Sequence, residues 1–276
     1  MTKRVTFKQI VEKKNFQINA YKLVYFLSSK VKNINDYQKY KSTKIDFDEA
    51  YFDECYERLS DSNNTIERIC KKVFFHKHEF ILNDGVFCPR NETELIVEYL
   101  NQEIKEDPSL KKSSYVDLCS GTGVIGISIA LQNEGFFKKI SLVDISEEAV
   151  KNIKENCTKY NLKLSVVKQD WYEYLQENGA DVITANFPYV SKEDDIDEHI
   201  MESEPDWALF AENDGWEHYD KILKFMDRNK AWKLIVLECS AYHEKKWKSI
   251  KNTYPNVKWK FLYDLNGKLR VVSLKR

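Results

Sequence analysis

The sequence predicts an α/β protein: a doubly wound, mostly parallel sheet of seven strands, preceded by a small helical domain. Three observations indicate this fold. The first 70 residues have helical apolar spacing, strand-like and helix-like segments alternate from residue 115, and a tight-turn dipeptide joins the last two strands. With 276 residues, 42% of them apolar, the chain is long enough for one medium-sized domain and a smaller companion.

The strand candidates are short apolar segments. Helix-like segments separate the first five, which predicts parallel strands joined by crossover helices. The dipeptide Asn266-Gly267 joins the last two, which predicts an antiparallel hairpin at the end of the sheet. The seven segments begin at Tyr115, Ile140, Leu164, Asp181, Lys233, Val257 and Leu269.

We divide the chain into a helical domain at 1–70, a β-hairpin connector at 71–90 and the sheet domain at 91–276. The turn of the connector is expected at Asp84-Gly85, a common hairpin dipeptide. Residues 1–44 carry eleven Lys and Arg against two acidic residues. This charge indicates either a solvated helical face or a surface that docks a partner.

Composition excludes several classes of protein. No apolar run approaches the roughly 18 residues that a membrane-spanning helix needs, so we expect a cytoplasmic protein with no membrane partner. The six cysteines form no Cys-x-x-Cys pair and have no histidine at ligand spacing. We therefore expect no metal site and no disulfide framework.

A glycine loop follows the first strand of the sheet. The segment "YVDLCSGTGVIGISIA" at 115–130 combines a buried strand, a turn of small residues and an apolar helix. Glycines allow close approach of the backbone to a ligand, and the first N–H groups of the helix add polar contacts. Cys119 occupies the first glycine place of the dinucleotide motif, and no Gly-Lys-Ser/Thr follows. The loop therefore favours an adenosyl cofactor over a dinucleotide or ATP.

Two carboxylates follow the next strands. Asp144 lies about twenty residues beyond Gly123, the spacing at which an acid accepts hydrogen bonds from ribose hydroxyls. Its alternative role is a helix cap, but Ser146 already suits that position. Asp170 is placed to accept from an adenine amino group, or it is only another helix cap.

These features resemble, in the same order, those of the class I S-adenosylmethionine-dependent methyltransferases. More closely, the chain resembles the HemK/PrmC family of protein-glutamine N5-methyltransferases, which modify the Gly-Gly-Gln glutamine of peptide-chain release factors. The resemblance covers 71–276 and rests on "CPRNETELIVEYL" at 88–100, "EPDWALFAENDGWEHYDKIL" at 204–223 and "YDLNGKLRVV" near the end. Taken alone, Asn91 with Glu94 also fits a capping box, and Asp214-Gly215 a turn.

The resemblance implies a Rossmann-like methyltransferase sheet, S-adenosylmethionine as cofactor, S-adenosylhomocysteine as product and a release factor as protein substrate. The helical domain at 1–70 would recognise that substrate. We expect a monomer with no stable nucleic acid complex. The expected cofactor pocket comprises Asp117, Ser120, Gly121, Thr122, Gly123, Asp144, Ile145, Asp170, Trp171 and Asn186, with Phe87 and Glu94 added by resemblance alone.

The segment "ANFPYV" at 185–190 supplies the expected catalytic residues Asn186, Phe187, Pro188 and Tyr189. A carboxamide nitrogen is a poor nucleophile because its lone pair is delocalised. The Asn186 side-chain carbonyl and the Phe187 main-chain carbonyl can accept both amide hydrogens and orient the nitrogen. Tyr189 can pack over the amide, with its hydroxyl available to position it.

The family pattern at this loop is Asn-Pro-Pro-Tyr, and Phe187 departs from it. The carbonyl of Phe187 is retained, while its ring is expected to narrow the pocket. Cys119 and "LECS" at 237–240 are further departures. They concern the level of activity rather than the reaction class.

Adenine-N6 methyltransferases of RNA or DNA use a similar four-residue loop and are the alternative function. Acidic residues from Glu193 to Asp206, with no Lys or Arg between them, would repel phosphates and attract a basic protein loop. A solvated helix face is the other interpretation of this run. A third hypothesis is a cofactor-binding scaffold without catalysis, which the fold alone does not exclude.

Overall fold

Packing divides the chain into two compact units in this computed structural model. The smaller unit comprises Met1–Lys72 with Glu198–Ser203, and the larger comprises Val73–Asp197 with Glu204–Arg276. No helix in the described part is long and apolar enough to cross a membrane. The residues that the structure describes are 3–15, 17–28, 41–60 and 65–276.

The smaller unit is mainly helical, as predicted, but it also contains a two-stranded antiparallel sheet that was not predicted. Each of these strands is four residues long, too short for alternation to show in the sequence. Part of the basic segment 1–44, including residues 29–40, lies outside the described residues. The elements are β1 (Lys3–Thr6), α1 (Phe7–Lys13), α2 (Ile18–Ser28), β2 (Lys44–Phe47), α3 (Glu49–Ser60) and α4 (Ile66–Cys70).

The predicted hairpin consists of β3 (Lys72–Phe75) and β4 (His78–Ile81). Its turn is His76-Lys77, with φ of 44° and 74°, so the predicted turn at Asp84-Gly85 is wrong. A two-residue loop with both residues at positive φ matches the twist of the flanking strands. That geometric requirement prevails here over the preference of such turns for glycine and asparagine.

In the described part of the chain, seven strands form one sheet in the order β10-β11-β9-β8-β5-β6-β7. Strands β9, β8, β5, β6 and β7 are parallel, and β11 is antiparallel to both of its neighbours, as predicted. The strands are β5 (Ser114–Leu118), β6 (Lys139–Asp144), β7 (Ser165–Lys168), β8 (Val182–Ala185), β9 (Leu234–Glu238), β10 (Lys258–Tyr263) and β11 (Leu269–Lys275).

Helices cover both faces of this sheet. Tyr115 and Val182 belong to one buried cluster, whereas their chain neighbours Val116 and Ile183 belong to the other, because successive strand residues point to opposite faces. Apart from the four-residue turn Glu212–Gly215, the helices of the larger unit are α5 (Glu94–Glu106), α6 (Val124–Gln132), α7 (Glu147–Lys159), α8 (Trp171–Asn178), α10 (Asp206–Leu209), α11 (Glu217–Arg228) and α12 (Glu244–Lys251). Helix α9 (Glu198–Ser203) belongs to the smaller unit.

The strand order changes direction between β5 and β8. From β5 the chain proceeds outward to β6 and β7, and it then returns to β8 on the other side. In open α/β sheets this reversal leaves a crevice at the carboxyl ends of the two strands. Leu118 and Ala185, the last residues of β5 and β8, are paired, so the loops that follow them start side by side.

Candidate active site

A cavity of about 300 Å³ lies at the carboxyl ends of β5, β6 and β8. The loops after β5, β7 and β8 form its walls, together with a segment around Trp207. The predicted site residues among its lining are Phe87, Ser120, Gly121, Thr122, Asp144, Ile145, Asp170, Trp171, Asn186, Phe187, Pro188 and Tyr189. The structure therefore brings together most of the predicted pocket at one place, and it places Asp117, Gly123 and Glu94 elsewhere.

The glycine loop turns through positive φ at Cys119 (50°), Gly121 (56°) and Gly123 (80°). A Cβ at Gly121 would meet no atom within 4 Å, so this glycine borders open space. A Cβ at Gly123 would lie 3.0 Å from Ile127 and 3.1 Å from Leu142. Gly123 thus allows α6 to pack closely against the sheet, while Gly121 allows close approach from the cavity.

Asp117 is fully buried within β5, below the cavity. It accepts hydrogen bonds from the Thr184 hydroxyl at 2.7 Å and from the Gly126 N–H at 3.1 Å. Burial raises the pKa of Asp117 to about 7. Its contacts tie α6 and β8 to β5, so the structure gives this residue a supporting place rather than a cavity-lining one.

Asp144 holds the glycine loop. Its Oδ2 accepts from the Gly121 N–H at 2.8 Å, and its Oδ1 accepts from the Ser146 N–H at 3.0 Å. Burial raises the pKa of this carboxyl group. Ser146 caps α7 through the Ala149 N–H, as predicted, so Asp144 is not needed as that side-chain cap.

Asp170 is a helix cap, and it also lines the cavity. Its Oδ1 accepts from the Tyr172 N–H at 2.9 Å and the Glu173 N–H at 3.1 Å, which caps α8. It also lines the cavity next to Trp171. The cap fixes the carboxyl group at the place where an adenine amino group is predicted.

The loop after β8 is held by main-chain and side-chain hydrogen bonds. The Val190 N–H donates to the Leu209 carbonyl at 3.0 Å, and the Ala211 N–H donates to the Val190 carbonyl at 2.9 Å. The Asn186 Nδ2 donates to the Thr93 hydroxyl oxygen at 3.4 Å. The loop is therefore fixed from two sides, by segment 209–211 and by the residue before α5.

Tyr189 uses its hydroxyl hydrogen within the protein. The hydroxyl donates to Oε1 of Glu238 at 3.1 Å, and Glu238 is fully buried at the end of β9. Burial is the main reason that the pKa of Glu238 is raised to about 7. The sequence predicted that this hydroxyl is available to position a substrate. That prediction is wrong for donation by the hydroxyl, because its hydrogen is already donated to Glu238.

The Phe187 ring belongs to a buried aromatic group. Its centroid lies 4.5 Å from that of Trp171 and 5.4 Å from that of His218, and the two rings of the latter pair are nearly parallel at 19°. Trp171 donates its indole N–H to Nδ1 of His218 at 3.1 Å. Burial lowers the pKa of His218, so the imidazole favours the neutral form that this bond requires. Phe187 thus forms the wall behind Trp171.

Glu94 anchors the hairpin instead of the cavity. Its Oε1 accepts from the His76 N–H at 2.8 Å. Neither Asn91–Thr93, which forms a 3₁₀ turn, nor the start of α5 has a side-chain cap hydrogen bond. The capping-box interpretation of Asn91 and Glu94 is therefore wrong, because the Glu94 carboxylate satisfies a donor in the hairpin turn.

An ion pair joins two of the segments that carry the sequence resemblance. Arg90 Nη2 lies 3.0 Å from Oε1 of Glu204, and Oε2 of Glu204 accepts from the Cys88 N–H at 2.9 Å. Glu204 is buried, so the prediction that it belongs to an exposed acidic rim is wrong. Its acidic neighbours in the sequence that are exposed are Glu193, Asp194, Asp195, Asp197, Glu202 and Asp206.

Five residues near the site were not predicted as site residues from the sequence. Trp207 lines the cavity and is 45% exposed. Thr93 lies inside the quoted segment 88–100, and the other residues lie inside or next to the segments quoted at 204–223 and 237–240. Position within those segments was the available signal, but contact with the loop depends on the tertiary fold. These residues are Thr93, Trp207, Gly215, His218 and Glu238.

The sheet, the glycine loop, the acid at the end of β6 and the Asn-x-Pro-Tyr-type loop after β8 together define a methyltransferase. The methyltransferase small domain family matches residues 77–206. The release factor glutamine methyltransferase of Mycoplasma mycoides subsp. mycoides SC is 34% identical over 226 residues, which are 79% of this chain and 78% of that protein. The release factor glutamine methyltransferase of Bacillus subtilis is 30% identical over 82% of this chain and 80% of that protein. The chain therefore belongs to the release factor glutamine methyltransferase family, as the resemblance predicted.

A solved structure adds evidence for the fold alone. The hMettl16 catalytic domain in complex with MAT2A 3′UTR hairpin 6 matches with a TM-score of 0.52 and 10% identity, over 82% of this chain and 80% of that one.

Proposed function

We propose that this protein methylates the side-chain amide nitrogen (N5) of the glutamine in the Gly-Gly-Gln motif of a peptide-chain release factor, with S-adenosylmethionine as cofactor. The observation that carries the proposal is the placement of the 186–189 loop in one cavity with the glycine loop and Asp144. Family membership supports it, because the relatives that show the family carry the name of that activity.

The residues of the cavity fit this cofactor. The Asp144 carboxyl group is fixed by two N–H donors at the end of β6, where ribose hydroxyls would be bound. Gly121 borders open space, so a ligand can lie against the backbone there. Trp171 and the exposed Ile145 offer apolar surface on the path to Asp170, where an adenine ring would lie. Ser120, Gly121 and Thr122 line the cavity, and they would cover the part of the cofactor other than its ribose and adenine.

When bound, S-adenosylmethionine supplies a sulfonium methyl group that passes to the amide nitrogen, while sulfur keeps the bonding electron pair and one amide proton leaves to water. The protein contributes orientation and electrostatic stabilisation. The Asn186 amide donates its N–H to Thr93, which leaves the Asn186 Oδ1 as an acceptor for a substrate amide hydrogen. The Phe187 carbonyl is the second acceptor that we propose. Two fixed acceptors hold the nitrogen in line and favour the charge that develops on it.

The surface near the cavity favours a basic protein substrate. After Val190, which lines the cavity, the larger unit carries the exposed acidic residues Glu193, Asp194, Asp195 and Asp197. This charge attracts a basic loop and repels phosphates. Trp207 is half exposed at the cavity and offers an apolar surface to a Gly-Gly-Gln backbone. We assign substrate recognition beyond the reacting loop to 1–70, and we propose that the enzyme acts as a monomer.

The test is methyl transfer from labelled cofactor to the host's purified release factor. A factor with the Gly-Gly-Gln glutamine replaced is the matched control, and rRNA and DNA from the same host are parallel substrates. We expect label on the unmodified factor and none on the variant. Label confined to nucleic acid would replace this proposal by adenine-N6 methylation. Cofactor binding with no labelled substrate of either class would indicate a scaffold without catalysis.

A further inference from the structure

Glu238 is a buried acid at the end of the strand that neighbours β8. Register pairs Ala185 with Leu237, so Glu238 lies beside Asn186, the first residue of the catalytic loop. Glu238 is 2% exposed, and Tyr189 of the loop donates a hydrogen bond to it. Burying a carboxyl group costs several kcal/mol unless it is compensated, so its presence at this place calls for a physical reason.

Two paths connect the catalytic loop with this carboxyl group. Tyr189 donates to Oε1 directly at 3.1 Å. Asn186 donates to the Thr93 oxygen at 3.4 Å, and Thr93 acts on the Glu238 carboxyl group by lowering its pKa. Oε2 of Glu238 is buried and has no hydrogen-bond partner, so it is able to accept the Thr93 hydroxyl hydrogen. A hydroxyl that accepts from one neighbour still has its hydrogen to donate to another. With the Thr93 hydrogen directed at this oxygen, both paths run in the same direction, from the loop toward Glu238.

The direction of these bonds determines what the loop offers to a substrate. An ionised carboxylate accepts hydrogen bonds and never donates them. The hydroxyl hydrogens of Tyr189 and Thr93 would therefore both point toward Glu238. The Asn186 amide then presents its oxygen, and the Tyr189 ring is held by its hydroxyl. A methyl acceptor nitrogen needs acceptors for its hydrogens and no competing donor, and this arrangement supplies that pattern.

We propose that Glu238, with Thr93, is the positioning group of the catalytic loop, which turns the hydrogen-bond donors of Asn186 and Tyr189 away from the reacting nitrogen. This inference rests on the proposed function and extends it. Glu238 does not touch the substrate in this account. It acts through two residues that line the cavity.

The charge state of Glu238 decides how strongly it acts. Its pKa is raised to about 7, first by burial, while hydrogen bonds from Thr93 and Tyr189 and the charge of Arg270 act in the opposite direction. Above this pH the carboxylate accepts the hydrogens of both paths. Below it, a protonated carboxyl group can donate and the order of the two paths is lost. The titratable or charged groups that face Glu238 are Glu92 before α5, Tyr189 after β8, Tyr219 on α11, Cys239 after β9 and Arg270 on β11.

The first test compares Glu238→Gln with the wild type. Glutamine keeps the shape of the side chain but can donate to Tyr189, so we expect kcat to fall about 10- to 100-fold, as for a lost preorganising contact. The KM for S-adenosylmethionine should change less than about 3-fold. Wild-type kcat should rise with pH through about 7, and the variant should lack that rise. Unchanged kcat, or a loss of kcat matched by loss of cofactor binding, would overturn the proposal.

Two further variants separate positioning from general stability. Glu103→Gln changes another buried acid, on α5 and 2.6 Å from Lys275, and it should leave kcat and its pH profile unchanged. Thr93→Val should reduce kcat and Thr93→Ser should restore it, because only the hydroxyl is needed. In a Tyr189→Phe background, Glu238→Gln should reduce kcat by a smaller factor than in the wild type, because the hydrogen bond from Tyr189 is already absent. An equal reduction of kcat in both backgrounds would contradict a role for the hydrogen bond between Tyr189 and Glu238.

A measurement without substrate distinguishes this inference from the proposed function. With 3-fluorotyrosine at position 189 alone, the ¹⁹F signal should shift with a midpoint near the pKa of Glu238, about 7, and Glu238→Gln should abolish the shift. A Glu238-dependent shift without release-factor methylation would refute the proposed function and support the network. Methylation with neither this shift nor an effect of Glu238→Gln on kcat would refute the network and leave the proposed function standing.

Discussion

Gly215 lies directly against the main-chain carbonyl of Tyr189. A Cβ built on Gly215 would lie 2.0 Å from the Tyr189 oxygen, and Gly215 has a φ of +75°. Asn213 and Asp214 before it also have positive φ. The Asp214-Gly215 turn is therefore more than a connection, because its close approach fixes the far end of the catalytic loop.

We predict that Gly215→Ala displaces the loop and reduces kcat by about 100-fold or prevents stable folding, because backbone cannot yield as a flexible side chain does. Gly267→Ala is the matched control: its φ is +72° and its Cβ would meet nothing within 4 Å. The control should lose only about 1–2 kcal/mol of unfolding free energy, the cost of a left-handed residue. Denaturant unfolding and kcat of both variants check this, and similar losses in the two would contradict the role of the Tyr189 contact.

Gly121→Ala should act on cofactor binding. Its Cβ meets no protein atom within 4 Å, so the strain resembles that of Gly267→Ala, but the added methyl group enters the cavity. We expect a loss of S-adenosylmethionine affinity of about 10-fold or more, measured by calorimetry, with a stability loss equal to that of the control. Unchanged affinity would mean that the cofactor does not approach the backbone at Gly121.

Asn186→Ala should reduce kcat by about 100-fold and leave cofactor affinity nearly unchanged. The reason is that the Asn186 oxygen is proposed to bind the acceptor amide as charge develops, a contact made mainly in the transition state. Single-turnover methyl transfer and separate cofactor titration provide the two values. An equal loss of cofactor binding would count against the assignment of Asn186 to the methyl end of the cavity.

Phe187→Ala should destabilise the protein by about 3–5 kcal/mol, the usual cost of truncating a buried Phe. It should also weaken cofactor binding, because the ring supports Trp171 at 4.5 Å. Phe52→Ala is the control for instability alone, since Phe52 is equally buried but belongs to the smaller unit. If both variants bind the cofactor equally well, Phe187 is only a core residue.

The stability of Glu238→Gln relative to the wild type should rise with pH. The pKa of Glu238 is raised from 4.5 to about 7, so the folded state binds more protons than the unfolded state between these values. The unfolding free energy of the wild type therefore loses this contribution as pH rises through about 7. We expect the variant to gain on the order of 1–3 kcal/mol relative to the wild type between pH 5 and pH 8. Urea unfolding at several pH values measures it, and a constant difference would contradict a titrating Glu238.

Much of the fold could be predicted because its signals are local. The buried strands of the sheet, the glycine loop and the Ser146 cap each depend on residues adjacent in sequence. The hairpin turn at His76-Lys77 could not be predicted, because neither residue has the strong preference of glycine for positive φ, and strand pairing imposes it here. The two short strands of the smaller unit were missed for the same reason, since pairing rather than pattern defines them.

The candidate site was predictable where one loop supplies both motif and contact, as for Asn186 and Asp144. Asp117 and Glu94 show the limit of this approach, because each carboxylate meets its hydrogen-bond partners only through tertiary packing. Asp117 accepts from Thr184 and Gly126, and Glu94 accepts from His76. Glu238 was quoted within a departure from the family pattern, but its bond to Tyr189 spans 49 positions. No spacing rule reaches that distance.

The most direct test of the central claim is to locate the added methyl group. The host release factor, produced in cells without this enzyme, is incubated with the protein and S-adenosylmethionine, digested and analysed by tandem mass spectrometry. We predict one added methyl group on the side chain of the Gly-Gly-Gln glutamine, and none when Asn186→Ala replaces the wild type at matched single-turnover times. A methyl group on another residue, or an unmodified factor beside methylated adenine in rRNA or DNA, would contradict the account.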